Sequence, residues 1–207
     1  MDSTGDRRPI AARGLRPVVA AADWLVSRGA SPNGISLAGM AAALGAGLVF
    51  AQAGAWPGPL PWLRGALLVQ ARLMANLLDG MVALGRGVAS PVGELFNEVP
   101  DRVSDTAVLA GLGWAAGQPA LGLLAALAAM ATAYIRAVGR GLGLPSDFSG
   151  PMAKQQRMAV ATAMALACAI APSWAGTVLV WGLWAITALS FGTAARRLAH
   201  VARALRQ

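Results

Sequence analysis

The chain has 207 residues, of which 57% are hydrophobic and only 13% charged; an ordinary soluble domain, with about a quarter of its residues charged, is excluded. The formal net charge is +8, carried by one lysine and sixteen arginines against nine acids, and the cations sit in clusters between apolar stretches rather than along a nucleic-acid-binding surface. Cys168 is the sole cysteine, which excludes an intrachain disulfide or a thiolate metal cluster.

Taken in order, Met1 to Arg8 is polar and reads as disordered. From Pro9 to Arg28, the apolar set Ile10, Leu15, Val18, Val19, Ala22, Leu25 and Val26 is interleaved with arginines, the pattern of an amphipathic segment lying on a membrane surface. Asp23 and Pro17 interrupt any apolar run there and argue against a cleaved signal peptide. Ser31-Pro32 supplies a cap followed by the residue best tolerated at a first helical position, and opens a first span running to about Gln52. A crossing needs about 20 apolar residues, and the remainder divides at that length: Leu60 to Leu84, Pro91 to Trp114, Ala120 to Val138, Met152 to Ala171 and Trp174 to Ala194.

The predicted architecture is an all-α integral membrane protein with six transmembrane helices preceded by a juxtamembrane amphipathic helix. Residues 1–30 form the N-terminal segment, 31–194 the membrane domain and 195–207 a basic tail, read as a short amphipathic helix. Arg7, Arg8, Arg13, Arg16, Arg28, Arg86, Arg136, Arg140, Lys154, Arg157, Arg196, Arg197, Arg203 and Arg206 all fall on one side of this layout, so the positive-inside rule puts both termini in the cytoplasm, and the Arg- and Ala-rich composition suggests that the membrane is a bacterial inner membrane. The opposite connections lack Lys and Arg, and Trp56, Trp62, Trp114 and Trp174 lie there as an aromatic belt would. The sequence from Arg140 to Pro151, RGLGLPSDFSGP, reads as a Gly/Pro-rich loop, and His200 in the tail reads as a surface residue.

Five of the nine acids fall between Asn76 and Asp105, inside otherwise apolar sequence. Ionisable groups at membrane depth cost roughly 2.5–3.5 kcal/mol each on insertion scales, so they imply a partner, an ion or a reaction. Ser90-Pro91 opens the third span, and Gly93, Asn97, Asp101 and Asp105 follow at intervals of four along one face. Matching depth along two antiparallel helices pairs Asp79 with Asn97, Asn76 with Asp101, and Arg72 with Asp105. Asp79, Asn76, Asn97 and Asp101 then form an oxygen cluster suited to a hard cation, with Arg72 and Asp105 a structural pair. Glu98 and Arg102 are spaced for a local i, i+4 pair; Glu98 or Glu94 is the alternative contributor to the ion site. Gly80, Ala83 and Gly93 read either as helix-packing residues or as room for a ligand to approach the backbone.

These residues resemble the signature of the CDP-alcohol phosphotransferase (CDP-alcohol phosphatidyltransferase) family, D-x-x-D-G-x-x-A-R, eight or nine residues, then G-x-x-x-D-x-x-x-D. Asp79, Gly80, Ala83, Gly93 and Asp101 match, whereas Asn76, Asn97 and Leu84 stand where the motif has Asp, Asp and Arg. SPNGIS at the first span and YIRAVG and GPMAKQQRM around the fourth connection also look like family features. The resemblance implies a transferase of phospholipid biosynthesis using one or two Mg²⁺ or Mn²⁺ ions. Its partners would be CDP-diacylglycerol as donor and a small polar alcohol as acceptor, with CMP released, and homodimers are common in the family. It further implies Asp101 as the base, Asp79, Asn76, Asn97 and Asp101 as metal ligands, Gly80, Ala83 and Gly93 in the CMP pocket, and Arg136, Lys154 and Arg157 on substrate phosphates. Positive-inside topology alone also accounts for those three cations. Two other functions stay open: a catalytically silent relative that binds lipid or nucleotide as a partner subunit, motivated by the two asparagines, and a small ion-coupled transporter.

Overall fold

The computed structural model describes residues 11–56, 58–88 and 90–206, all of it helix and connections; the expectations for Met1 to Ile10 fall outside them. After a 3-10 turn at Ala11–Gly14, the helices are α1 (Arg16–Ser27), α2 (Pro32–Ala51), α3 (Leu60–Gly85), α4 (Pro91–Ala115), α5 (Pro119–Gly141), α6 (Lys154–Ile170) and α7 (Ala175–Ala204). The two Ser-Pro starts do what their chemistry dictates: the Ser31 hydroxyl accepts the Gly34 N–H at 3.3 Å and that of Ser90 accepts the Gly93 N–H at 3.1 Å. Among the described residues, α2, α3, α5 and the stretch Pro172–Ala204 are long and apolar enough to cross a membrane. By contrast, α4 carries Glu94, Glu98, Asp101, Arg102 and Asp105, and α6 has 17 residues.

The outer surface is apolar, with Leu48, Leu67, Leu127, Ile170 and Trp181 among its exposed side chains, as expected of a bundle solvated by lipid. The core is built from Phe50, Val69, Leu109, Leu112, Leu183 and Ile186 with many alanines. Trp62 departs from the belt: it is 5% exposed and packs on Phe50, ring centroids 6.2 Å apart, whereas Trp56, Trp114 and Trp174 are exposed. The basic tail is not a separate helix, because α7 runs unbroken through Ala204.

Helix α2 packs against both α3 and α4, whose backbones approach each other at few places. This wedge depends on small residues. A Cβ at Gly111 of α4 would overlap the Gly47 carbonyl oxygen of α2, and one at Gly47 would overlap that of Ala107, so the two backbones are in direct contact. At the other end, the Arg86 guanidinium donates to the Gly29 and Ala30 carbonyls at 3.0 and 2.8 Å, fastening the α1–α2 turn to the end of α3. The connection from Leu142 to Ala153 is likewise pinned: Arg197 donates to the Ser149 carbonyl at 3.0 Å, the Met152 N–H donates to Thr193 Oγ1 at 3.0 Å, and His200 Nδ1 lies 3.0 Å from Asp147 Oδ2. His200 therefore holds this loop.

Gly111→Ala should destabilise the detergent-solubilised protein by about 1–3 kcal/mol through overpacking. The same change at Gly192, where nothing lies within 4 Å, should be neutral or stabilising by up to about 1 kcal/mol, the helix-propensity gain. Thermal melts of both variants check this, and equal melting points would contradict the close approach.

Candidate functional site

The space that the α2 wedge leaves between α3 and α4 is a cavity of about 750 Å³, completed by residues of α5, α6 and α7. Asn76, Asp79, Gly80 and Ala83 reach it from α3, Gly93, Asn97, Glu98 and Asp101 from α4, Arg136 from α5, and Lys154 and Arg157 from α6. Apart from Arg72, Leu84 and Asp105, the residues singled out from the acidic motif thus border one hollow, and of the three expected cross-helix pairs only Asn76 with Asp101 is formed.

Asn76 donates to Asn97 Oδ1 at 2.6 Å and to Asp101 Oδ1 at 3.3 Å. Arg72, expected opposite Asp105, forms an ion pair with Asp101 instead and donates from Nε to Ser104 Oγ at 2.8 Å. Asp105 belongs to Arg157, 2.7 Å away, and both are almost fully buried. Asp79 does not meet Asn97. Its Oδ2 accepts from Ser36 of α2 at 2.6 Å and its Oδ1 from the Gly80 N–H at 2.6 Å. The physical reason is the wedge: α2 packs against both helices, and Asp79 faces Ser36 on α2 rather than α4.

Glu98 is bonded chiefly across the bundle to Arg136, with Arg102 a distant second at 3.9 Å, so the expected i, i+4 pair is the minor one. Glu94 faces Arg140 at 3.4 Å. Arg136 also lies over the Phe148 ring, 5.2 Å from its centroid. Reading the sequence missed Ser36, although the signal was present: Asn33 and Ser36 are the only polar side chains in α2.

Lys154 is central. Its ammonium lies 2.5 Å from Asp101 Oδ1 and 2.8 Å from Asn76 Oδ1, with only 15% of the side chain exposed. The expected Mg²⁺ or Mn²⁺ ligands therefore do not fit an ion as they are arranged. Asp79 has both oxygens hydrogen-bonded, and Asp101 is shared by Arg72 and Lys154 with Arg102 at 3.6 Å. No group of three His, Cys, Asp or Glu side chains converges among the described residues. Like charges 4 Å apart repel by about 4 kcal/mol at an effective dielectric near 20, and by twice that for a divalent ion beside an ammonium. The cavity as a whole is basic, with eight Arg and Lys residues bordering it against Asp79, Glu94, Glu98 and Asp101, so it attracts anions.

No family model matches the chain. Among curated relatives, it is 30% identical over 193 residues to the phosphatidylinositol phosphate synthase of Mycobacteroides abscessus, covering 88% of this chain and 81% of that protein. The chain belongs to the CDP-alcohol phosphatidyltransferase family. It is 29% identical over 147 residues to the phosphatidylinositol phosphate synthase of Streptomyces avermitilis, covering 67% of this chain but only 57% of that relative's length. In fold it matches the phosphatidylinositol phosphate synthase of Mycobacterium tuberculosis with CDP-DAG bound, with a TM-score of 0.76, 24% identity and coverage of 90% and 94%. A second structure of that protein, with manganese and citrate, gives a TM-score of 0.75.

Arg157→Met alone should destabilise the protein by about 3–5 kcal/mol, since it leaves the Asp105 carboxylate buried and unpaired. Adding Asp105→Leu should recover most of the loss in a thermal melt. A double variant no more stable than the single one would show that the pair does not fix α6 to α4.

Proposed function

We propose that this chain is a six-span transferase of the bacterial plasma membrane, with both termini in the cytoplasm, that moves a phosphatidyl group from CDP-diacylglycerol to the hydroxyl of a polar alcohol. The observation that carries this reading is the convergence of Asp79 and Asp101, the small residues Gly80, Ala83 and Gly93, and the cations Arg102, Arg136 and Lys154 around one cavity. The small residues leave room for a flat nucleotide, and the cations neutralise phosphate oxygens where charge develops.

In this scheme Asp101 accepts the proton of the acceptor hydroxyl. The hydroxyl oxygen bonds to the phosphorus that carries diacylglycerol. The bridging P–O bond to the CMP phosphate breaks, and CMP leaves with the electron pair. No step is routed through a metal, because the donor set does not fit one. The basic lining favours an acceptor that itself carries phosphate, and the names of the relatives put inositol phosphate first among candidates.

The test is CMP release by the protein in lipid nanodiscs with CDP-diacylglycerol and a panel of alcohols headed by inositol phosphate. Release should fall by about 10²–10⁴-fold in Asp101→Asn, the scale of a lost general base. Donor binding without release, whatever the alcohol, would instead mark a silent family member acting as a lipid-binding partner, the reading that the asparagines at positions 76 and 97 favour.

A further inference from the structure

The two asparagines and the single lysine look unrelated in sequence, being up to 78 residues apart, but they are one hydrogen-bonded unit. Asn76 uses both ends of its amide. Its Oδ1 accepts from the Lys154 ammonium at 2.8 Å, while its Nδ2 donates to Asn97 Oδ1 at 2.6 Å and Asp101 Oδ1 at 3.3 Å. A carboxylate at position 76 has no donor, so it would lose both of the latter bonds and face Asp101 as a like charge. Amides at these positions are therefore what a lysine-centred site requires, where four carboxylates are what a centre of multivalent ions requires.

The charges around Asp101 point the same way. Arg72 and Lys154 both pair with its Oδ1 and Arg102 lies 3.6 Å from its Oδ2, while Asp79 is held separately by Ser36 and the Gly80 N–H. Lysine suits this place better than any of the sixteen arginines, because an ammonium is a compact point charge and a guanidinium a planar fork. Nor is Lys154 a mobile surface residue. It opens α6 directly after the connection pinned by Thr193 and Arg197. Two of its three N–H donors are used by Asp101 and Asn76, and the third remains for an oxygen in the cavity.

We propose that the Lys154 ammonium is the resident cation of this site, standing where the family motif would place divalent metal, so that the cavity binds a pyrophosphate-bearing ligand without Mg²⁺ or Mn²⁺. That the ligand is CDP-diacylglycerol rests on the function proposed above; that the cation is Lys154 does not.

Two measurements on purified protein in nanodiscs separate the two claims. In the first, Mn²⁺ is titrated and followed by its electron paramagnetic resonance signal, with no lipid substrate present. The wild type should show no stoichiometric Mn²⁺ site, whereas a variant carrying Asn76→Asp, Asn97→Asp and Lys154→Gln together should gain one. A stoichiometric site in the wild type, or none in the triple variant, overturns the proposal. In the second, CDP-diacylglycerol binding is measured in excess EDTA and in excess Mg²⁺. Affinity should agree between the two conditions to within about twofold, far less than the tenfold step that 1.4 kcal/mol represents. Lys154→Gln should weaken it at least about tenfold in EDTA, with no rescue by Mg²⁺. Donor binding that requires Mg²⁺ in the wild type also overturns the proposal. Absence of donor binding under both conditions sinks the transferase reading and leaves the Mn²⁺ result to decide the cation.

Discussion

Charge neutrality inside an apolar bundle is the constraint on which the rest of this structure depends. Ionised groups withdrawn from water are costly unless paired, and α4 carries five ionisable groups in twelve residues, from the exposed Glu94 and Glu98 to the buried Asp101 and Asp105. Three neighbouring helices answer with cations: Arg72 from α3, Arg136 and Arg140 from α5, Lys154 and Arg157 from α6. Helix α4 is thereby held in depth and rotation from three sides, and the cavity is the volume these pairs leave open.

Backbone contact on the fourth side makes that arrangement possible. Because Gly47 and Gly111 let α2 and α4 meet without intervening side chains, α2 fills the wedge that would otherwise bring α3 and α4 together. Had α3 and α4 packed flush as a hairpin, their acids and amides would have met face to face and no ligand-sized hollow would exist. The same wedge gives Asp79 its partner, since Ser36 lies on the α2 face turned toward α3. Small-residue packing and charge pairing are thus two halves of one device: the first opens the space and the second lines it.

Much of this was legible in the chain. The Ser31-Pro32 and Ser90-Pro91 starts and the ~20-residue apolar lengths locate the long helices to within a few residues, except that α7 continues about ten residues further through Ala204, because arginine and alanine extend a helix as readily as leucine does. What bordered the cavity was also legible, since intramembrane acids are informative wherever they occur. Partners were only partly so. Depth matching assumed two adjacent antiparallel rods; it held for Asn76 with Asp101, but Arg72 pairs with Asp101 rather than Asp105, and Asp79 turns to Ser36 of α2. Trp62 misled for a related reason: tryptophan belongs both at interfaces and in cores, and only the ring of Phe50 against it decides.

The remaining question is why a scaffold shared with a manganese-containing structure tolerates a lysine at its centre. The scaffold's own ties do not run through the central cation. Asp105 with Arg157, Glu98 with Arg136, and the Gly47–Gly111 contact all lie outside the Asn76, Asn97 and Lys154 unit, so the bundle stays assembled whichever cation sits between α3 and α4. The three positions, however, are not independent of one another. Lysine among four carboxylates would leave excess negative charge, whereas beside two carboxylates and two amides it does not. Asn76 touches Lys154 directly and Asn97 touches it through Asn76, so a change at any one of the three alters the charge that the other two must accommodate.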